Sequence, residues 1–350
     1  MNRKEFIQKS VMASLRLWSL PFLCTGCEKD NIFKNSNFYG KILIIGAGVA
    51  GLYAGHLLKI NGIEFEIIEA SNRIGGRIGK IEGFADFTLD TGAEWLHGKN
   101  SILGNLVKEN NVKMTEDDTE YSYWYMNKMV SSIPKNIFNQ LEAKNLPDIS
   151  FEELAIAEGF GLEYKYIVKG IAGDYGADAS KLSAYWAYKE FENWSSGDTD
   201  YKFENTLFDL IEAHLAYALN DEIIFNSPIL SIDYSENTVV LTSKSGEQFQ
   251  GNQVIRTVPI TILKQNYINF QPALPTTKTE AFQKTGMDAG MKVFLKFSEK
   301  FYPENILGGK FCAAYADEII GKTGASHVLL AFIMGEQAEY LSGLPNDEAL

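Results

Sequence analysis

From residue 41 onward, short apolar runs alternate with polar stretches at spacings that predict a strand over 41–45, a helix over 50–60 and a strand over 64–69, the opening of a βαβ unit. The pattern between 151 and 217 favours helices, with Phe203, Leu207, Leu210, Ile211, His214 and Leu215 spaced to line one helical face. Alternation then returns. Short strands are predicted over 222–225, 229–234, 238–242, 248–250 and 254–257, separated by turn residues such as Asn237 and Gly246, and again over 291–297 and 328–333. No internal repeat and no low-complexity tract interrupts the pattern.

The first predicted strand runs into Gly46-Ala47-Gly48-Val49-Ala50-Gly51 and then the first predicted helix. This is a GxGxxG turn in the context its chemistry requires. Gly46 permits the tight turn, Gly48 lets the backbone approach a pyrophosphate, and Gly51 allows close packing of helix on strand. The second strand ends at Glu69, close to the ~20-residue spacing expected for a carboxylate that accepts hydrogen bonds from ribose hydroxyls. The run Glu69-Ala70-Ser71-Asn72-Arg73-Ile74-Gly75-Gly76-Arg77 then sets fixed cations beside a glycine pair, suited to a second loop folded over the pyrophosphate.

Composition narrows the remaining classes. A chain of 350 residues with 45% hydrophobic and 22% charged residues has room for two packed domains and the balance of a soluble globular protein. A net charge of −13 and the lack of a basic stripe argue against a nucleic-acid partner. Of the three cysteines, Cys24 and Cys27 lie near the start and Cys312 in the body, so neither a disulfide framework nor a thiolate metal cluster is expected. His56, His97, His214 and His327 are scattered, and no metal site is expected.

Residues 1–26 read as an export signal: Arg3, Lys4 and Lys9 precede an apolar run over 11–23 that Arg16 interrupts. Asn2-Arg3-Lys4-Glu5-Phe6-Ile7 resembles a twin-arginine signal with Lys in the second position. Cys24-Thr25-Gly26-Cys27 resembles the end of a bacterial lipoprotein signal, with Cys24 where Leu is usual, which implies a lipid anchor at Cys27. The segment 28–37 reads as a polar tether. The expected location is outside the cytoplasm, as a membrane-anchored lipoprotein or a periplasmic protein; an irregular cytoplasmic arm is the alternative.

The glycine doublet and its flanking charges resemble the GG-doublet family of FAD amine oxidases, which includes monoamine and polyamine oxidases, flavin-type histone demethylases and L-amino-acid oxidases. The resemblance implies FAD as cofactor, held by Gly46, Gly48, Ala50, Gly51, Glu69, Ala70, Arg73, Gly76 and Arg77. Thr91-Gly92-Ala93-Glu94-Trp95-Leu96-His97-Gly98 is similar to the segment that passes the flavin edge in polyamine and spermine oxidases. It adds Ala93, Glu94, Trp95 and Leu96 to the cofactor set and His97 to the substrate pocket. Pro228-Ile229 and Val254-Ile255-Arg256-Thr257-Val258-Pro259 resemble the returning FAD section, in which the backbone at Ile229 would hold the adenine. Arg256 stands where the family has a small or apolar residue.

Lys292-Val293-Phe294-Leu295-Lys296-Phe297 resembles the family strand whose lysine, here Lys292, holds a water against flavin N5. Lys292 and Lys296 share a strand face and differ only in depth. The fold implied is α/β: a Rossmann-like FAD-binding domain with an inserted α+β substrate domain. The FAD domain is expected over 37–115 and 213–288, and the substrate domain over 116–212 and 289–350, after a signal and tether over 1–36.

The activity implied is FAD-dependent oxidation of a polyamine or monoamine to an imine, with dioxygen reduced to hydrogen peroxide. An L-amino-acid oxidase, which needs a cation for the substrate carboxylate, and a flavin desaturase are the enzymatic alternatives. Family members continue beyond the point matching Leu350, so a fragment or a truncated, non-catalytic flavin-binding protein is also an expectation.

Overall fold

The computed structural model describes residues 38–135, 146–197 and 199–345. The export-signal, tether and Cys27 readings lie outside the described residues, as does the end of the chain beyond 345. Among the described residues no helix is long and apolar enough to cross a membrane.

The mixed α/β fold is built around β1 (Lys41–Ile45), α1 (Val49–Ile60) and β2 (Glu64–Ile68). Four of the five β1 residues are apolar and buried, as expected for a strand covered on both faces of a parallel sheet. β1 pairs in parallel with β2 on one side and with Gln253–Arg256 on the other, while Ile223–Ile224 adds to the far edge of β2. α1 presents Gly51, Leu52, Gly55 and Leu58 as a buried stripe. The turn between β1 and α1 is specified by two glycines. Gly46 has φ +105°, and a Cβ on Gly51 would stand 1.9 Å from the Gly46 carbonyl oxygen.

The strands Ile229–Asp233, Val239–Ser243 and Gln248–Gly251 form an antiparallel meander, joined in parallel by Asn269–Gln271. Ile229, Ile232, Leu241 and Phe249 of that sheet form one apolar cluster with Leu43, Ile45 and Ile68 of the parallel sheet. A separate six-stranded sheet runs in the order Gly290–Phe297, His327–Met334, Ala314–Asp317, Asn305–Leu307, Tyr121–Tyr125 and Lys128–Val130. Helices Phe151–Ala157, Lys165–Asp174 and Ala184–Asn193 contribute to a core that includes Phe151, Ile167, Ile171 and Ala184, with Tyr123 and Tyr125 of the six-stranded sheet packed on it.

The helical middle needs one correction. Phe203 belongs to the strand Asp200–Phe203, which pairs with Trp95–His97 and with Met114–Glu116. The helix expected to include it starts only at Leu207, where Thr206 and Asp209 form a reciprocal capping box. After Ile211 the backbone widens into a π-helical turn over Glu212–Ala216, so the 3.6-residue face does not continue unchanged to Leu215.

Candidate functional site

A cavity of about 1020 Å³ runs from the β1–α1 turn to the six-stranded sheet. At one end it is lined by Gly46, Gly48, Ala50, Glu69, Ala70, Gly76 and Arg77, with Ile229 contributed by the meander. At the other are Ala93, Glu94, Trp95, His97 and Lys292, together with Tyr121, Asp174 and Phe332. Three residues of the expected set are not on the lining. Gly51 is buried in the helix–strand contact, and Leu96 is 2% exposed, facing the core. Arg73 spends its guanidinium on the carbonyls of Ile74, Gly76 and Ile78. It therefore braces the glycine-doublet loop, whereas Arg77 is on the lining.

Glu69 fixes the turn as well as facing the cavity. Its Oε2 accepts from the Ala47 amide at 2.7 Å, and its Oε1 accepts from the Ser71 amide and hydroxyl at 2.8 and 2.7 Å. An ionised carboxylate has about four acceptor sites, so capacity remains for a further donor such as a ribose hydroxyl. The amide of Gly75 donates to Ala47 at 2.9 Å, which sets the second glycine loop against the first.

The residues here fit the ADP half of a dinucleotide. α1 follows the N-cap Gly48, which gives no side-chain cap, and has no acidic residue in its first turn, so its first amides are not capped by a side chain of that turn. A Cβ on Gly48 would meet nothing within 4 Å, so the space above it belongs to the cavity. An anion placed there would complete the helix terminus, with Arg77 near it.

The far end is organised by charge. The Lys292 ammonium lies 2.8 Å from Glu94 Oε2 and donates to the Asp90 carbonyl at 3.1 Å, on a side chain 8% exposed. Lys296, four residues along the same strand, donates to the Phe84 carbonyl and is exposed; it is not on the cavity lining. Behind Glu94 sits Lys202, buried, with Glu94 Oε1 at 3.9 Å and Glu318 Oε1 at 3.5 Å. Burial pushes its pKa down, but Glu318 and Glu94 outweigh burial and hold it up at about 12. Asp90 is paired with Lys322 at 3.5 Å, yet burial raises its pKa to about 6. Glu318 is raised well above the usual carboxylate range, first by burial and then by Glu94.

His97 is placed on the cavity lining with Nδ1 2.8 Å from Asp200 Oδ1. That hydrogen bond raises the imidazole pKa against burial. Asp174, exposed on the same lining, is a second group able to accept from a cation.

Asp90, Asp174, Asp200, Lys202, Glu318 and Lys322 escaped the reading of the sequence. Lys202 follows Tyr201 in a charged stretch, and nothing local separates a buried lysine from a surface one. Asp90 carried the only available signal, because it precedes the flavin-edge segment directly. Arg256, expected to be unusual, is half-buried with its guanidinium 5.1 and 5.6 Å from the Phe270 and Phe282 rings. It is not on the cavity lining, so it offers no cation there for an amino-acid carboxylate.

Comparison with known proteins places the chain by family and fold. The chain is 25% identical to the human lysine-specific histone demethylase 2 over 81% of its own length and 38% of that protein. It is also 25% identical to a probable polyamine oxidase 4 of Arabidopsis thaliana, over 93% of this chain and 72% of the relative. The chain thus spans well under half of the first relative and less than three quarters of the second. Two solved structures share the fold. Putrescine oxidase bound to putrescine superposes with a TM-score of 0.71 at 21% identity, and cyclohexylamine oxidase from Brevibacterium oxydans with 0.72 at 19%, each over 88% of this chain and 78% of the other. The profile of the flavin containing amine oxidoreductases matches residues 49–165 and 161–350, and the chain belongs to that family.

Proposed function

We propose that this protein is an FAD-dependent amine oxidase that converts a primary or secondary amine, of the polyamine or short diamine class, to an imine. The observation that carries this reading is the continuity of one cavity from the dinucleotide turn at Gly48 to Lys292, Trp95 and Asp174. Gly46, Gly48, Glu69, Arg77 and Ile229 would hold FAD, which when bound supplies the two-electron oxidation, with dioxygen as the acceptor and hydrogen peroxide as product. Trp95 and Phe332 supply apolar walls that limit water. Lys292 offers an ammonium donor at the cavity wall, held by Glu94 and the Asp90 carbonyl. Asp174 offers an anionic partner for a substrate cation.

The names of the relatives support an amine as substrate, and the Asp174 carboxyl on the lining supports one carrying a second positive charge. The displaced position of Arg256 weighs against an amino-acid oxidase. Peroxide release from FAD-loaded protein with putrescine, spermidine, spermine, tyramine, benzylamine and several L-amino acids tests the reading. Preference for di- and polyamines is expected. A best substrate carrying an α-carboxylate would overturn it.

A further inference from the structure

Six ionisable side chains meet in the interior where the flavin-edge strand, the strand Asp200–Phe203, the strand Gly290–Phe297 and the segment after Ala314–Asp317 converge: Asp90, Glu94, Lys202, Lys292, Glu318 and Lys322. Only Glu94 and Lys292 of these lie on the cavity lining. Removing so many charges from water is costly, and a packed apolar cluster would serve stability at least as well. The arrangement is therefore better accounted for by what it holds in place.

What it holds is Lys292. The Glu94 carboxylate is engaged on both oxygens, by Lys292 at 2.8 Å and by Lys202 at 3.9 Å, and neither oxygen has a hydrogen bond of ordinary geometry. Lys202 is in turn anchored by Glu318 at 3.5 Å and stands 4.6 Å from the Trp95 ring centroid, with Lys292 at 5.8 Å from that ring. Glu318 is fixed through its backbone, whose amide donates to the Val328 carbonyl at 2.9 Å. A second arm runs through Asp90, whose carbonyl accepts from Lys292 and whose carboxylate faces Lys322. With all six ionised, the three lysines and three carboxylates sum to zero.

We propose that Lys202 and Glu318 are positioning residues for the amine-oxidising site, fixing Glu94 and the face of Trp95 from behind and through them the ammonium of Lys292. The assignment rests on the amine-oxidase reading for its kinetic consequence, while its effect on the bound flavin can be read without substrate. Neither residue touches the cavity. Loss of Lys202 removes the cation behind Glu94, and loss of Glu318 removes the anchor of Lys202, so in either case the carboxylate that holds Lys292 is no longer fixed from behind.

The test uses FAD-loaded protein carrying Lys202→Met together with Glu318→Gln, which removes one charge of each sign and keeps the cluster formally neutral. FAD retention and thermal stability are expected to stay near those of the parent. Flavin reduction by the best amine should slow by about 100-fold, the scale of a displaced positioning group, with KM little changed, and the reduction potential of the bound flavin should depend on pH differently. Lys202→Arg, which can still span both carboxylates, should recover most of the rate. A parental reduction rate and a parental potential profile in the double variant would overturn the assignment.

If the double variant does not fold, Glu318→Gln alone keeps the shape and removes only the charge. A displaced pH profile for the potential then supports the proposal, and a superimposable one overturns it. Should no amine reduce even the parent flavin, the amine-oxidase reading fails, while the contrast in potential between parent and variant still judges the positioning.

Discussion

At the scale of single residues the cavity is defined less by which groups it contains than by which are left available. Arg73 and Arg77 bracket the same glycine pair, but Arg73 is consumed by three carbonyls of its own loop and Arg77 is on the lining. Lys292 and Lys296 share one face of one strand, but only Lys292 reaches Glu94. Lys292→Met should accordingly slow flavin reduction or reoxidation by about 100-fold, since loss of a placed acid–base or water-holding group has that order of effect. FAD should remain bound, because the groups proposed to hold its ADP half lie at the other end of the cavity. Rapid-reaction absorbance of both half-reactions checks this, and parental rates in each would remove Lys292 from the site. The choice between the two lysines rested on the resemblance of their strand, because alternation alone puts both on one face. The pairing that fixes Lys292 was not legible in the sequence, because Lys202 and Glu318 come to it from chain segments 116 residues apart.

At the scale of elements, the β1–α1 turn separates two uses of glycine that sequence spacing cannot. Gly51 is held by packing: its missing Cβ is what lets α1 sit on the Gly46 carbonyl. Gly48 has open space, so an added methyl group meets no part of the chain and intrudes only on the cavity. Gly48→Ala is thus expected to fold with near-parental thermal stability yet bind FAD at least tenfold more weakly, while Gly51→Ala should lose stability itself, by several kcal/mol if the helix must shift to relieve the overlap. Calorimetric unfolding paired with FAD titration distinguishes the two, and equal effects of both substitutions would contradict the division.

The strands flanking this turn were readable because β1 and the meander carry strong periodicity and clear turn residues. The strands Tyr121–Tyr125, Asn305–Leu307 and Ala314–Asp317 were not, being short, partly polar and completed only by pairing with distant chain. The strand Asp200–Phe203 was masked for the same reason, its partners Trp95–His97 and Met114–Glu116 lying far back along the chain.

For the molecule as a whole, the buried acids and the surface acids pull stability in opposite directions over different pH windows. Asp86, Glu153 and Asp233 have pKa values lowered by hydrogen bonds, so the stability they add is complete above pH ~5 and is lost only as pH falls through their folded values. Asp90 and Glu318 behave inversely. Their folded pKa values are raised by burial, so the native state holds those protons more tightly than the unfolded chain, and stability is lost as pH rises through the raised values. For Asp90, moved from 3.8 to about 6, that loss is on the order of 3 kcal/mol. His97 adds to the same trend at higher pH, because the proton that Asp200 stabilises on it is given up as pH climbs past its raised value.

The net charge of −13 reinforces this, since self-repulsion grows as the remaining carboxylates ionise. Between pH 5 and 8 all these contributions share one sign, whereas the surface acids have finished titrating. The melting temperature of FAD-saturated protein is therefore expected to be highest near pH 5 and to fall steadily toward pH 8. Glu318→Gln should make that fall shallower, because one of the groups that must ionise in the interior is gone. A melting temperature that is flat or rises between pH 5 and 8, measured at constant ionic strength, would show that the six-ion cluster keeps all its carboxylates charged across the range.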